Sequence, residues 1–586
     1  MSKSVIPVDV VLREKPYTVP RAMAPIDLWL DGNEGAAPPV ELLEVPLQGT
    51  AEILQRYPGT ASLEALLAKK VGVAPEEVLV TGGGDDAIDR VCRAVLGPGR
   101  NMVIPDPTFE MIPRFAQLTG AEVRRVRGDG PDYPLEEVLE TVDESTSLVV
   151  VISPNNPTGV AATTEQIEAL VKACPHALIL VDHAYVEFGG DDVTRLAVEL
   201  ENVVVTRTLS KAWGLAGLRI GYAVAPQKII GWLKTTGNPY PVSKPSLMMA
   251  ERWVREGSDK VAAYISRVQH ERAVLEEHFE KLGKKTLPSQ GNFVFARVDD
   301  GLWWRDAMAG QGIGVRAFPD RPGLEDAIRI ACPGDDESLA RVQRAIDVAA
   351  RPEAILFDLD GVFADVSRSY RQAIIKTAAT FGVDVDAEQI SAIKARGNAN
   401  NDWRVTQELL AESGVDVELG EVTARFEGFY QGTEEEPGLW ADEELLVERE
   451  FLDALRNRGV QMAIVTGRPR KDARRFVEHW ELEEYFPVMV CMEDATLKPD
   501  PAPVIRAMRE LDVERAWFVG DTPDDMRAGR AAGVLPLGIL APGDGKGRGK
   551  GRNGEEDNDE TMKRALLTAG GGRVLKNLDE LLEVMR

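Results

Sequence analysis

Two stretches of the chain carry residues whose type and spacing can do chemistry. In AILFDLDGVF (354–363) an apolar run closes on Asp358 and Asp360, two residues apart, with a glycine directly after. In TRTLSKAWGLAGLRIGY (206–222) Lys211 follows hydroxyl side chains and precedes Arg219 by eight residues. Paired carboxylates can attack an electrophile with one member and carry protons with the other, and an activated lysine can form a Schiff base. Each pattern also has an ordinary reading. Asp-Gly after a strand is common turn chemistry, and a lysine beside a serine suits a solvated helix start.

Strings elsewhere in the chain decide against the ordinary readings. SPNNPTG (153–159) sets Asn156 in a loop after a buried run, and VDHAYVEF (181–188) sets Asp182 and Tyr185 at the end of another. TGGGDDAID (81–89), with Gly84 and Asp85, is a glycine-rich turn into a helix, where free N–H groups and the helix dipole favour a phosphate. Pyridoxal phosphate needs this set: a carboxylate for the pyridine nitrogen, donors for the phenolate oxygen, a phosphate cradle and a lysine.

The aspartates also find partners, in VTGRP (465–469), LKPDP (497–501) and VGDTPDD (519–525). In that order they can make a phosphoryl-transfer site. Asp358 attacks phosphorus, and Asp360 protonates the leaving alcohol and later activates water. Asp521, with Asp358 and the Asp360 carbonyl, can hold Mg²⁺, while Thr466 and Lys498 bind the phosphoryl oxygens.

These residues must be positioned by elements that the pattern also predicts. EEVLVTGG, NMVIPD, SLVVVIS, ALILVD and NVVVTRT read as strands separated by helices, hence a parallel or mixed sheet covered on both faces. Residues 251–283 read as one long amphipathic helix leading into NFVFARV, GIGVRAF and AIRIAC, the strands of a smaller α+β lobe. A break at Arg351-Pro352 precedes a second α/β region, helical and acidic over 366–448, then alternating again at VQMAIVTG, FPVMVCM, RAWFVGD and LPLGIL. The glycine- and charge-rich stretch 543–560 reads as a mobile loop or insertion.

At 586 residues the chain exceeds one core, and three to five domain-sized units are expected. A net charge of −27 argues against nucleic-acid or anionic-membrane partners, so anionic substrates need local arginines. Four scattered cysteines without CxxC spacing read as reduced thiols of a cytoplasmic protein, and five histidines form no zinc-type cluster. No apolar run is long enough to span a membrane.

Over residues 10–350 the strings resemble the fold-type I aminotransferases, the histidinol-phosphate aminotransferase family in particular. The resemblance implies a large mixed-sheet domain (about 30–250) and a small α+β domain (about 251–350) within residues 1–350. It implies pyridoxal 5'-phosphate on Lys211, with Asp182 as pyridinium partner and Tyr185 and Asn156 as phenolate donors. The phosphate would meet Gly84, Asp85, Ser210 and Arg219, and Phe109 would stack on the ring. Tyr57, in QRYPGT, would reach the phosphate across a homodimer interface. Arg329, helped by Arg316, would take the substrate carboxylate or phosphate. NPYPVS (238–243) and QGNFVF (290–295) add to the likeness, while His183, Asp86 and Ile112 depart from the family's common choices. Aromatic aminotransferases and a threonine-phosphate decarboxylase share most of the strings.

Residues 353–586 are similar to the haloacid dehalogenase superfamily, whose four motifs occur in order; the resemblance implies a Rossmann-like core with 366–448 as its helical cap. Within the cap, Asn400, Asp402 and Trp403 are expected either at a helix corner or facing the leaving group, where acid groups would suit a cationic substrate. Together the halves imply two consecutive steps of histidine biosynthesis. Imidazole-acetol phosphate and glutamate would give histidinol phosphate and 2-oxoglutarate, and histidinol phosphate would then be hydrolysed to histidinol. Two alternatives stay open: a phosphatase for another small ester such as phosphoglycolate, or a C-terminal module that binds without turnover.

Overall fold

The computed structural model describes residues 7–13, 16–397, 400–541 and 553–585, with side chains omitted for 553–558. Two compact units divide the chain. The first holds Met1–Val19, Leu30–Val298 and Ala327–Leu339, and the second holds Pro20–Trp29, Asp299–Asp326 and Ala340–Arg586. The Arg351-Pro352 break thus falls inside the second unit.

The first unit is built on a seven-stranded sheet ordered Val78–Thr81, Gly221–Val224, Val203–Thr208, Leu178–Asp182, Thr146–Ile152, Asn101–Asp106, Glu122–Arg127. Gly221–Val224 runs antiparallel to both neighbours and the other pairings are parallel, so the sheet is mixed. Each of the five apolar runs became a strand because helices bury both of its faces. Leu148, Val150 and Leu180 face one core with Ile88 and Ile229, and Val149, Val151 and Ile179 face the other with Ile167 and Leu170. The edge strand Glu122–Arg127 escaped the sequence reading because its charges leave no apolar run.

The predicted helix over 251–283 is two helices, Lys244–Glu256 and Ser258–Lys281. Gly257 is the break. A Cβ there would lie 2.6 Å from the Trp253 indole, so the chain turns where only glycine fits. Residues 553–560, expected within a mobile loop, begin the helix Asn553–Thr568; residues 543–552 lie outside the described residues. Glu560 and Lys563, three positions apart, form a 3.8 Å ion pair along this helix, support that the glycine density of the stretch conceals.

The second unit carries a six-stranded parallel sheet ordered Val488–Val490, Gln461–Val465, Ala354–Phe357, Ala516–Gly520, Leu535–Ile539, Arg573–Leu575. Four helices, Tyr370–Thr380, Ala387–Arg396, Asp402–Glu412 and Leu419–Gln431, occupy the expected cap span. A short antiparallel ribbon, Ala364–Asp365 against Glu444–Leu445, carries the chain out to these helices and back. Among the described residues no helix is long and apolar enough to cross a membrane.

Candidate active sites

In both units the candidate residues gather beyond the carboxyl ends of parallel strands, where an open α/β sheet places its crevice. In the first unit Asp182 ends Leu178–Asp182, Asn156 follows Thr146–Ile152, and Ser210 and Lys211 follow Val203–Thr208. Asp182 is buried and accepts a 3.1 Å hydrogen bond from Thr206 Oγ1. Burial pushes its carboxyl up to about 7, with Asp85 adding repulsion and Lys211 opposing. A protonated pyridine nitrogen would give this buried carboxyl a cationic partner and favour its ionised form.

Lys211 Nζ donates to Gly32 O at 2.9 Å and lies 5.6 Å from the centroid of the Tyr185 ring. Tyr185 is buried; its hydroxyl accepts from Asn33 Nδ2 at 3.2 Å, and its ring meets Phe293 edge-on. Gly84 opens the helix Gly84–Val95, with Gly83 at φ +90° before it. A Cβ on Gly83 would stand 2.9 Å from Arg219 Nη2, so the glycine lets the guanidinium approach the helix N-terminus. Arg219 also pairs with Asp85 at 3.1 Å, and Ser210 shares a hydrogen bond with Thr208 at 2.9 Å. This donor set fits a phosphate.

Arg329 and Asn156 meet directly: Nη1 of the arginine donates to Asn156 Oδ1 at 2.5 Å, and Nη2 donates to Asp31 O. Phe109 is partly buried against the sheet core. Arg316 belongs to the second unit, buried, with its guanidinium 5.8 Å from the Phe318 ring centroid. Tyr57 is 81% exposed and stacks on Tyr240 with ring centroids 4.5 Å apart.

The three departures have structural uses. His183 is held neutral by burial, its ring nitrogens bound to Ser153 O and the Val193 N–H. Asp86 accepts from the Gly82 N–H and from Arg90, and Ile112 lies in the core. None of these contacts involves a residue of the candidate cofactor site.

In the second unit Ala354–Phe357 lies between Gln461–Val465 and Ala516–Gly520, which brings Asp358, Thr466 and Asp521 to one end of the sheet. Lys498 Nζ lies 3.1 Å from Asp358 Oδ1 and 2.5 Å from Asp525 Oδ1. Burial opposes its charge, yet the two carboxylates hold it protonated above the usual lysine range. Asp358 is pushed well above the carboxylate range by burial, against the pull of Lys498, with Asp525, Asp360 and Asp521 adding repulsion. Asp521 is pushed up to about 7 by burial and by Asp525. Asp358, Asp521 and Asp525 each offer an oxygen within 4.8 Å of the others, a carboxylate cluster that fits a hard divalent cation. Gly361, at φ +72°, makes room for it: a Cβ there would stand 2.3 Å from Asp521 Oδ2.

Asp525 was passed over by the sequence reading, although it stands in VGDTPDD. A helix-start serine or threonine followed three residues later by a carboxylate was the available signal. Thr522 and Asp525 form that capping box, with the threonine hydroxyl donating to Asp525 Oδ2 at 2.6 Å.

The expected acidic face of the cap is instead a balanced one. Asp402 pairs with the half-buried Lys394 at 3.2 Å, and Trp403 Nε1 donates to Glu427. Asn400 donates to Lys498 O and to Asp524, so it reaches the Lys498 segment. Residues 398–399 of this loop lie outside the described residues.

Comparison with known proteins finds two families in succession along the chain. Residues 33–346, more than half of the chain, match the family model for class I and II aminotransferases, and residues 355–539 match haloacid dehalogenase-like hydrolase. A protein named histidinol-phosphate aminotransferase from Thermoanaerobacter sp. is 32% identical over 320 residues, covering 52% of this chain and 90% of its own length. A Phytophthora nicotianae protein named imidazoleglycerol-phosphate dehydratase is 46% identical over 202 residues, 33% of this chain and 45% of that protein. The chain therefore spans less than half the length of the Phytophthora relative. The structure of a histidinol-phosphate aminotransferase from Sinorhizobium meliloti, in complex with pyridoxal-5'-phosphate, covers 59% of this chain and 98% of its own. It aligns with a TM-score of 0.54 at 22% identity, a likeness of fold.

Proposed function

The chain belongs to the class I and II aminotransferase family, and from that premise we propose a bifunctional enzyme acting on consecutive phosphate esters. Its first reaction is transamination between imidazole-acetol phosphate with glutamate and histidinol phosphate with 2-oxoglutarate. Its second is hydrolysis of histidinol phosphate by the haloacid dehalogenase-like domain. Residues 1–350 would carry the first activity and 353–586 the second, with 366–448 as cap. The observation that carries the reading is one chain holding both a buried Asp182 beside Lys211 and a carboxylate cluster beside Lys498. The relatives' names, which refer to phosphate esters, support the substrate class.

In the first site pyridoxal phosphate, when bound, supplies the electron sink. Gly84, Asp85, Ser210 and Arg219 would hold its phosphate, Phe109 its ring, and Tyr185 and Asn156 its phenolate oxygen. Asp182 would keep the pyridine nitrogen protonated, and Lys211 Nζ would move the proton at the substrate carbon. Arg329 would bind the substrate's acidic groups. Tyr57, exposed on its own protomer, would act in a partner's site within a cytoplasmic homodimer.

In the second site Mg²⁺, when bound by Asp358, Asp521, Asp525 and the Asp360 carbonyl, screens charge between nucleophile and phosphate. Asp358 attacks phosphorus and the ester bond breaks, the leaving oxygen taking a proton from Asp360. Asp360 then takes a proton from water as that water attacks the aspartyl-phosphate, which releases phosphate and restores Asp358. Thr466 and Lys498 hold the phosphoryl oxygens.

A second reading of the phosphatase has its own observation. The half-buried Lys394 pairs with Asp402 and feels Asp521 and Asp360, which places a cation at the cap side of the site. That favours an ester with an acidic leaving group, such as phosphoglycolate. The test is kcat/KM for histidinol phosphate against phosphoglycolate and other small esters. A clear preference for a non-imidazole ester overturns the consecutive-step reading.

A further inference from the structure

We propose that Arg468 is a positioning residue for Asp360 and ties its orientation to the two strands that lead into and out of the cap. The inference rests on the acid–base role of Asp360 given above. Arg468 stands two residues after Thr466, and its backbone N–H donates to the Thr466 hydroxyl at 3.1 Å. Its side chain is 1% exposed. A buried guanidinium is tolerated only where carboxylates and ring faces replace its water. Arg468 has both. Nε and Nη2 lie 2.5 Å from Asp360 Oδ1, and Nη1 lies 2.9 Å from Glu443 Oε2. The Tyr370 and Phe476 rings flank it, with centroids 4.8 and 5.5 Å from Cζ.

Both contacts to Asp360 fall on one oxygen. Oδ1 is fixed by a rigid, planar fork, and Oδ2 is the oxygen that remains to serve the leaving group. A lysine could neutralise Asp360 but would hold Oδ1 through a single flexible ammonium, without the planar fork that meets Glu443 at the same time.

The other contacts of the same guanidinium sit at the cap hinge. Glu443 immediately precedes Glu444–Leu445, the returning strand, and Tyr370 begins the first cap helix after the outgoing strand Ala364–Asp365. Tyr430, near the end of the last cap helix, donates to Glu443 Oε1 at 3.1 Å and stacks near Tyr370 with centroids 4.3 Å apart. A swing of the cap about the ribbon moves Glu443 and Tyr370 together. The guanidinium they hold must follow, and with it Oδ1 of Asp360. Cap position and proton delivery are thereby coupled through one side chain.

The test uses the full-length protein with Mg²⁺ and two probes, a simple alkyl phosphate and 4-nitrophenyl phosphate. The rate read is single-turnover release of the alcohol or phenol, which precedes the hydrolysis step shared by both esters. There, loss of proton delivery slows the alkyl ester, whose alkoxide leaves poorly, and spares the aryl ester, whose phenolate leaves unaided. Glu443→Gln and Arg468→Lys should each lower the single-turnover rate of alcohol release from the alkyl ester by about 10-fold or more, with KM within about 3-fold and the rate of 4-nitrophenol release within about 3-fold. Glu443→Gln keeps the guanidinium and guards against a folding defect in Arg468→Lys. Equal losses on both esters, or losses confined to KM, overturn the inference. Asp360→Asn is measured alongside. If it discriminates between the esters and the other two variants do not, the inference alone fails. If Asp360→Asn does not discriminate, the acid–base role of Asp360 fails and the inference falls with it.

Discussion

Lys498 Nζ stands 2.5 Å from Asp525 Oδ1, closer than its 3.1 Å to the candidate nucleophile Asp358. Asp525 is therefore more than a helix cap. It fixes the lysine that is to meet the phosphate, and it also belongs to the carboxylate cluster that fits a cation. Asp525→Asn should weaken Mg²⁺ binding, seen as an apparent affinity reduced by about 10-fold or more, since the second contribution to a cation site is charge. Magnesium titration followed by the intrinsic fluorescence of the chain checks this without turnover. An unchanged midpoint would remove Asp525 from the site.

Asp358→Asn should abolish phosphate release and leave transamination intact. Asp360→Asn should lower turnover of alkyl phosphates by about 10²–10⁴-fold, the usual worth of a positioned acid or base. Stripping divalent cations with a chelator should silence the hydrolase alone, and added Mg²⁺ should restore it. Phosphate release that survives in Asp358→Asn would refute the nucleophile assignment.

Lys211 should be the residue that borohydride reduction labels with a pyridoxyl group, located by peptide mass. Lys211→Ala should lose the yellow colour and transamination while hydrolysis persists. Labelling at another lysine would be incompatible with the assignment.

Tyr57 is exposed and stacked on Tyr240, as a residue waiting for a second subunit would be. Mixing Tyr57→Phe with Lys211→Ala subunits should restore one undamaged site per mixed dimer, and activity should rise above that of either variant alone. No gain on mixing, or sedimentation as an active monomer, would refute the shared site.

Asp182 gives a pH signature in the cofactor-free protein. Its carboxyl is raised from 3.8 to about 7 by burial, so the folded state binds a proton that the unfolded state has already lost. Stability is then full below about pH 4 and declines as pH rises towards 7, by up to about 4 kcal/mol at 1.36 kcal/mol per pKa unit. Melting curves of the apoprotein should show this decline, and Asp182→Asn should lessen it, leaving the part that the raised Asp358 and Asp521 carboxyls contribute with the same sign. A decline of the same size in Asp182→Asn would assign it to another group.

Much of this was legible in the sequence because strand ends and turns are local. An apolar run followed by Asp-x-Asp-Gly, or by Ser-Lys, already says that a side chain stands at the end of a buried strand. The runs around Val149, Ile179, Leu356 and Phe518 were read correctly, since each is buried on both faces and cannot be mistaken for an amphipathic surface. What the sequence could not decide is which charge meets which. Asp402 looked like a free acid beside the leaving group until the fold brought Lys394 against it from the preceding cap helix. Arg468 looked like one residue of a motif until Asp360, 108 positions earlier, and Glu443, 25 positions earlier, closed on it. Hydrophobic periodicity is written along the chain and survives reading in one dimension. The pairing of buried charges depends on distances between segments remote in sequence, and only the tertiary structure sets those.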